Sequence, residues 1–503
     1  MNPAGDLVRH SRVIILCIFV LFVGLAIGRC FTNLPWVDEG WFFDPIYNWL
    51  THGHTGTTVI DATGFPWEGV ERHQYWQPPF HLIADVVWVK ITGFSLPAYR
   101  GLSVFAGIFL LLSWIFLLDY FQTPTGVKLV AFLFIATDYA VLRAGSDGRT
   151  DMLAASLGLG AVATYLRLRE RRFTLAIALS QILVVCGGLT HPMGGIPYLV
   201  MLLYFFVKEK DWRRIRPVHL ALVVAPYIVG VACWGAYILQ EPATFRKIFL
   251  GSSAAGRLSG MGHPLLSIRN EIVQRYLEPF GLYGDTWVLK AKVLVPLVYF
   301  LGAALVWIIG PVRRQAFLKP FLAMWSIMCL SLLALDNQRN GTYLGHVFPL
   351  YAILLASLIG WLYENRRFPR ALLVAFAAGF CLLQAGGSLY IIYKDAYHRQ
   401  YLASTDFVLQ HTAPGDRIVG TSELGFGIGF DRLVDDMALG YYTGKRSPDI
   451  LILSPRYAAW YERMRREDPP LYTFIERRLS EFEPAYQTPA FTVLVSKAHT
   501  DRP

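Results

Sequence analysis

The sequence predicts a mainly α-helical, polytopic integral membrane protein of about eleven spans, with a small extracytoplasmic C-terminal α/β domain. Three observations predict it. Of 503 residues, 54% are hydrophobic and only 16% charged, and the mean hydropathy is +0.40, whereas soluble domains carry roughly a quarter charged residues. Apolar runs of roughly 17 to 24 residues recur along residues 1–392, the length needed to cross a bilayer. Residues 393–503 lose that pattern and read as a soluble unit.

The expected spans are 13–31, 99–118, 127–143, 152–168, 173–190, 193–207, 216–239, 292–310, 318–335, 343–363 and 371–392. The first is flanked by Arg9 and Arg12 and followed by Arg29-Cys30-Phe31 rather than a small-residue cleavage site, so it reads as a retained span. The stretch 80–93 is apolar but short and carries Asp85 and Lys90. Loop charge decides its placement. The basic loops around 167–172, 208–216, 313–319 and 366–370 all belong in the cytoplasm. They share a side with Arg9 and Arg12 only if 80–93 does not cross. It is therefore expected to lie at the outer surface, with Asp85 and Lys90 reachable from outside. This topology leaves the N-terminus cytoplasmic. Loops 32–98, 144–151 and 240–291 and the tail 393–503 are then extracytoplasmic. The net charge of +10 follows largely from the cytoplasmic loops, so it does not argue for nucleic acid. The six cysteines fall in or beside apolar runs, without disulfide or metal spacing.

The tail alternates strand-like and helix-like stretches. Residues 417–421, 449–454 and 491–497 read as strands, and 397–411, 455–466 and 470–480 as helices. Gly425, Gly427 and Gly429 lack the spacing and context of a dinucleotide loop.

Three clusters on the outer side could do chemistry. Asp38 and Glu39 lie between Trp36 and Trp41, just after the first span. Carboxylates at an interface are costly to hold, and tryptophan favours that depth. Asp147, Arg149 and Asp151 stand at the mouth of the fourth span. Tyr75, Trp76, Gln77, Pro78, Pro79, Phe80 and His81 lead stiffly into the surface helix. Carboxylates and arginines at a membrane face suit transfer of a sugar from a lipid phosphate. The phosphate leaves as a stable anion, so no strong acid is needed. A carboxylate must take the proton of the attacking hydroxyl, and a cation must stabilise the leaving phosphate. Asp38 fits the base and Arg149 the cation; attack opposite the phosphate inverts the anomeric carbon.

In order, these pieces resemble the GT-C glycosyltransferases that use polyprenyl-phosphate sugars, including protein O-mannosyltransferases and lipid A aminoarabinose transferases. The matching pieces are Asp38-Glu39, Gln77-Pro78-Pro79-Phe80, Arg100 opening the second span, Arg149-Thr150-Asp151, Gly188-Leu189-Thr190, the 343–349 stretch and Gly415-Asp416-Arg417 before a strand. The resemblance implies Asp38 as catalytic base, Glu39 orienting it or the acceptor, and Asp151 shaping the site. It implies Arg149 as a contact of the donor phosphate. Gln77 and His191 stand where many relatives carry phosphate-holding residues, so the grip must come from elsewhere. Arg257, Arg269 and Arg339 are the outer candidates, with Tyr75, Gln77, His81 and His191 positioning substrate. The expected partners are the lipid bilayer, a polyprenyl-phosphate sugar, and a hydroxyl or phosphate acceptor on a glycan, lipid or protein. The expected location is a bacterial plasma (inner) membrane.

No cofactor is expected. The one combination that raises a divalent metal, His73 and His81 with Glu68 or Glu71, has no ligand-like spacing. A transporter or flippase is the competing reading, but it should carry ionisable groups along a path through the spans, and the spans are nearly free of charge. A non-catalytic scaffold for the tail would not need Asp38. Loop 240–291, with its glycines around Arg257, is expected to act as a lid.

Overall fold

The computed structural model describes residues 3–254, 264–284, 286–366, 368–445 and 447–500. Arg257, Gly256, Gly260 and Gly262 lie outside the described residues, and with them the phosphate contact expected there; the described parts of the expected lid, within 240–254, 264–284 and 286–291, are largely helical.

The first helix, α1 (Pro3–Thr32), runs unbroken through the first apolar run. Leu34 and Pro35 end it, and α2 (Val37–Thr51) starts at once. Both residues of the acidic pair carried by loop 32–98 occupy the first turn of α2. The reason is local. Trp36 is extended at the N-cap, and the Glu39 carboxylate three residues on accepts its backbone N–H at 2.8 Å, half of a capping box. The stiff Pro78-Pro79 segment then enters α3 (Phe80–Thr92), a helix where the sequence led one to be expected. Its exposed face carries Ile83, Val87 and Ile91, while Asp85 is buried. The expectation that Asp85 is reachable from outside is thus incorrect: burial against α2 and α4 (Leu96–Tyr120) turns it inward, where His81 pairs with it at 2.8 Å.

The third expected span is divided into α5 (Thr125–Thr137) and α6 (Tyr139–Ala144). Asp138 makes the break by capping α6, accepting from Ala140 and Val141 N–H at 2.9 and 3.1 Å. Next come α7 (Thr150–Leu168), α8 (Phe173–Thr190), α9 (Pro192–Lys208) and α10 (Pro217–Ile238). α7 packs against α4, α8 and α9. It approaches α9 so closely at Gly158 that a Cβ there would lie 2.0 Å from the Tyr198 ring. Helices 294–308, 318–335, 344–364 and 370–394 follow. Every residue from 344 to 359 is buried, which puts that helix at the centre of the bundle, whereas α10 buries only His219 and Gly230. Among the described residues, seven helices are long and apolar enough to cross a membrane; three shorter apolar helices and α7 occupy other expected spans.

The tail forms a five-stranded sheet in the order β2-β1-β3-β5-β4, from β1 (Ile418–Val419), β2 (Leu433–Val434), β3 (Ile450–Leu453), β4 (Phe482–Gln487) and β5 (Thr492–Ser496). β1 runs parallel to β2 and β3, and β5 antiparallel to β3 and β4. The three expected strands are β1, β3 and β5. β2 is too short to show a period, and β4 is largely exposed and carries Glu483 and Pro484. The sheet packs on loop 32–98: Asp435 N–H donates to the Val59 carbonyl at 2.6 Å, and one apolar core joins Phe42, Phe43 and Ile46 of α2 to Ile418, Leu424 and Phe430. Gly40 permits the docking, since a Cβ there would lie 2.4–2.5 Å from the Ser422–Glu423 backbone. The helix that carries Asp38 is therefore clamped between the bundle and the C-terminal domain.

Candidate active site

The site is assembled from the first turn of α2, the loop 145–149 and the start of α7. Glu39 supplies the frame. Its side chain is fully buried, and it accepts from Arg100 Nε and Nη2, each at 2.7 Å, and from the Gly148 N–H at 2.7 Å. Arg100, also fully buried, donates further to the carbonyls of Cys30, Asn33 and Leu34 at 3.0–3.1 Å. This one ion pair ties the end of α1, α2, α4 and the 145–149 loop together. Its carboxylate is taken up by the frame, so Glu39 can orient Asp38 only through the backbone of α2.

Asp38 is the carboxylate left partly open, with 24% of its side chain exposed. It accepts from Arg149 Nη1, and Arg149 Nε donates to Asp151 at 2.9 Å, so one guanidinium bridges two carboxylates. The Trp36 ring lies beneath both Arg149 and Arg143, their Cζ atoms 5.2 and 4.5 Å from its centroid. Arg143 pairs with Asp147 at 3.4 Å. Burial raises the Asp147 carboxyl above the ordinary range, against the attraction of Arg143. Tyr139, Arg143, Asp147, Arg149, Asp151, Phe280 and Thr342 line a narrow cleft that encloses about 20 Å³. Arg29 and Lys292 approach the Tyr139 ring, at 5.2 and 5.4 Å. Arg29 is otherwise held by the Ser146 and Ser388 hydroxyls, at 2.9 and 3.4 Å, and neither cation forms an ion pair among the described residues. Behind Asp151, His191 Nδ1 accepts from Met193 N–H and Nε2 meets the Tyr343 hydroxyl at 3.0 Å.

The structure thus brings together Asp38, Arg149 and Asp151, with His191 adjacent to them. It does not bring Arg339 to the cleft. Arg339 is buried in a cluster with Glu271, at 2.9 Å, alongside Arg275 and Asp336, because those carboxylates need its charge. Arg269 is exposed. Tyr75 is buried and donates to the Tyr237 carbonyl at 3.0 Å, Gln77 is half-buried ahead of α3, and His81 is committed to Asp85. Tyr75 and His81 therefore shape the roof through α3 and α10 rather than through an open donor or acceptor. Sequence reasoning missed Arg29, Arg143 and Lys292. Arg143 carried a signal, four residues before Asp147 at the outer end of a span; Arg29 and Lys292 sat at the ends of apolar runs and looked like ordinary boundary charges. No group of three or more metal-ligating side chains occurs among the described residues.

No family model matches the chain, and no curated protein matches it. Solved structures do. ArnT from Cupriavidus metallidurans bound to undecaprenyl phosphate aligns with a TM-score of 0.59 at 15% identity, over 98% of both chains. An oligosaccharyltransferase from Archaeoglobus fulgidus tethered to an acceptor peptide aligns with a TM-score of 0.51 at 12% identity, over 97% of this chain and 74% of that one. The Archaeoglobus fulgidus oligosaccharyltransferase AglB, in complex with an inhibitory peptide and a dolichol-phosphate, aligns with a TM-score of 0.50 at 14% identity, over 98% and 75%. The chain has their fold. The GT-C fold expected from the order of the motifs is therefore the fold found, from the first helix to the C-terminal sheet.

Proposed function

We propose that the protein is an integral membrane, inverting glycosyltransferase. It moves a sugar from a polyprenyl-phosphate donor to a hydroxyl or phosphate acceptor on a glycan, lipid or protein. The observation that carries this reading is a partly exposed carboxylate, Asp38, paired with an arginine that lines a cleft in an apolar helical bundle. Support comes from the likeness to ArnT, solved with undecaprenyl phosphate, and to AglB, solved with a dolichol-phosphate. The sugar is a hexose or pentose derivative. The cleft faces the extracytoplasmic side of a bacterial plasma membrane, with the N-terminus in the cytoplasm.

In the step, the acceptor oxygen attacks the anomeric carbon and its proton passes to Asp38. The bond from that carbon to the phosphate oxygen breaks, and the lipid phosphate leaves as a dianion. Arg143, Arg149 and Lys292 supply the cations that hold it. These replace the grip that Gln77 and His191 do not provide. Asp151 holds Arg149 in place, and Glu39 fixes the turn that presents Asp38. Purified protein with radiolabelled polyprenyl-phosphate sugars and native membranes as acceptor tests the reading. Transfer by wild type that disappears in Asp38→Asn supports it. Binding of donor by both proteins, with transfer or hydrolysis by neither, favours a transporter or flippase instead.

A further inference from the structure

Arg149 occupies an unusual position for a phosphate-binding residue. Its guanidinium is already spent on two carboxylates, one of which, Asp38, is the base. A carboxylate paired with a guanidinium is a weak proton acceptor, because the pair stabilises its charged form. The same guanidinium is the cation nearest the base in the cleft. Arg143 is engaged by Asp147 and stacked on Trp36, and Lys292 lies against Tyr139. We propose that Arg149 couples the two halves of the reaction: it masks Asp38 until the donor phosphate draws it away, and binding of donor thereby creates the base. The inference rests on the glycosyl-transfer reading above and adds an order of events to it.

The charges move in the right sense. As the acceptor gives up its proton, Asp38 passes from −1 to neutral and loses its hold on a cation. As the bond to the anomeric carbon breaks, the phosphate diester of charge −1 becomes a monoester of charge −2 and gains that hold. Arg149 sits between the two groups, so its shift toward the phosphate follows the reaction rather than opposing it. The anchor on the other side is Asp151, which keeps Arg149 in the cleft through both states. Asp151 Oδ1 and His346 Nε2 are both buried without a hydrogen-bond partner among the described residues. The pocket behind Arg149 is thus not satisfied in the masked state. Among the described residues, the hydrogen bonds of the Arg149 side chain go to the two carboxylates, and the Trp36 and Phe42 rings stack on its guanidinium.

The coupling makes an unusual demand on binding. If Asp38 and the phosphate compete for one guanidinium, removing Asp38 must tighten donor binding, and the gain must depend on Arg149. The probe is undecaprenyl phosphate in detergent micelles, with affinity read by calorimetry on four proteins: wild type, Asp38→Asn, Arg149→Gln and the double variant. For a half-buried ion pair the expected gain in Asp38→Asn is about three- to tenfold, and Arg149→Gln binds more weakly than wild type. In the Arg149→Gln background, Asp38→Asn gives no gain. An equal gain in both backgrounds means plain charge repulsion between Asp38 and phosphate and overturns the coupling, as does no gain in either. Failure of wild type to bind the probe at all sinks the donor reading itself, which separates the two failures. Modification of Asp38 by a carbodiimide, read by mass spectrometry in wild type, gives a second measurement. Added undecaprenyl phosphate should raise its rate, and a rate unchanged by bound probe contradicts the unmasking.

Discussion

Replacing Glu39 by glutamine tests whether this residue is a chemical group or a strut. Its carboxylate accepts from Arg100 twice, from Gly148 and from Trp36, at 2.7–2.8 Å, and neither Glu39 nor Arg100 is exposed. A glutamine amide is close in shape but neutral, and it offers one oxygen where two are used. Arg100 would keep its three carbonyl partners yet lose its countercharge. Breaking a buried pair from one side costs about 3–5 kcal/mol, because the surviving charge is left buried. The expected result is a large fall in the thermal midpoint of the detergent-solubilised protein, with activity lost in proportion to the unfolded fraction. Removing both charges, as in Glu39→Gln with Arg100→Met, should recover most of that stability. The reasoning is refuted if Glu39→Gln melts like wild type while transfer disappears, for then Glu39 acts on the substrate and not on the fold.

Other consequences are quicker to state. Asp38→Asn should leave the thermal midpoint near that of wild type and lower transfer by roughly 10²–10⁴-fold, the range for a lost general base; radiolabel transfer measures it. Arg143→Gln and Lys292→Gln should each weaken donor binding while leaving the fold intact, seen as a raised KM for donor. Gly40→Ala should loosen the outer domain from α2, since the added methyl meets the Ser422–Glu423 backbone; limited proteolysis should then cleave between residues 395 and 445 faster than in wild type. Burial raises the Asp44 carboxyl from 3.8 to about 7, opposed by the Val59 N–H it accepts at 2.9 Å. A raised acid pKa means stability present at low pH and lost as pH rises across that interval. The outer layer should therefore melt higher at about pH 5 than at about pH 8, and Asp44→Asn should reduce the difference.

The bundle was legible because a bilayer imposes length and apolarity on each span. The helix at 80–92 was legible as a short apolar stretch entered through Pro78-Pro79. The split at Asp138 was not, since a single capping carboxylate inside an apolar run is set by tertiary partners such as Tyr299, whose hydroxyl donates to it at 2.8 Å. Asp38, Arg149 and Asp151 were found as residues from their order along the chain. The bridge from Asp38 to Arg149 was not found, because the two are brought together by long-range contacts such as the Glu39–Arg100 pair and the Gly148 N–H on Glu39, which no local pattern announces. Arg339 misled for the opposite reason: an outer arginine in sequence looks the same whether it faces a ligand or neutralises a buried glutamate. The packing of the outer domain on α2 was likewise invisible, as it depends on shape at Gly40 rather than on any motif.

The most direct test of the central claim is transfer itself. Wild-type protein and Asp38→Asn, each shown to be folded and to bind undecaprenyl phosphate, would be incubated with radiolabelled polyprenyl-phosphate sugars and native membranes. The account predicts label moving from lipid phosphate to an acceptor, with inverted anomeric configuration, in wild type only. Equal transfer by both proteins, or retained configuration in the product, would contradict it.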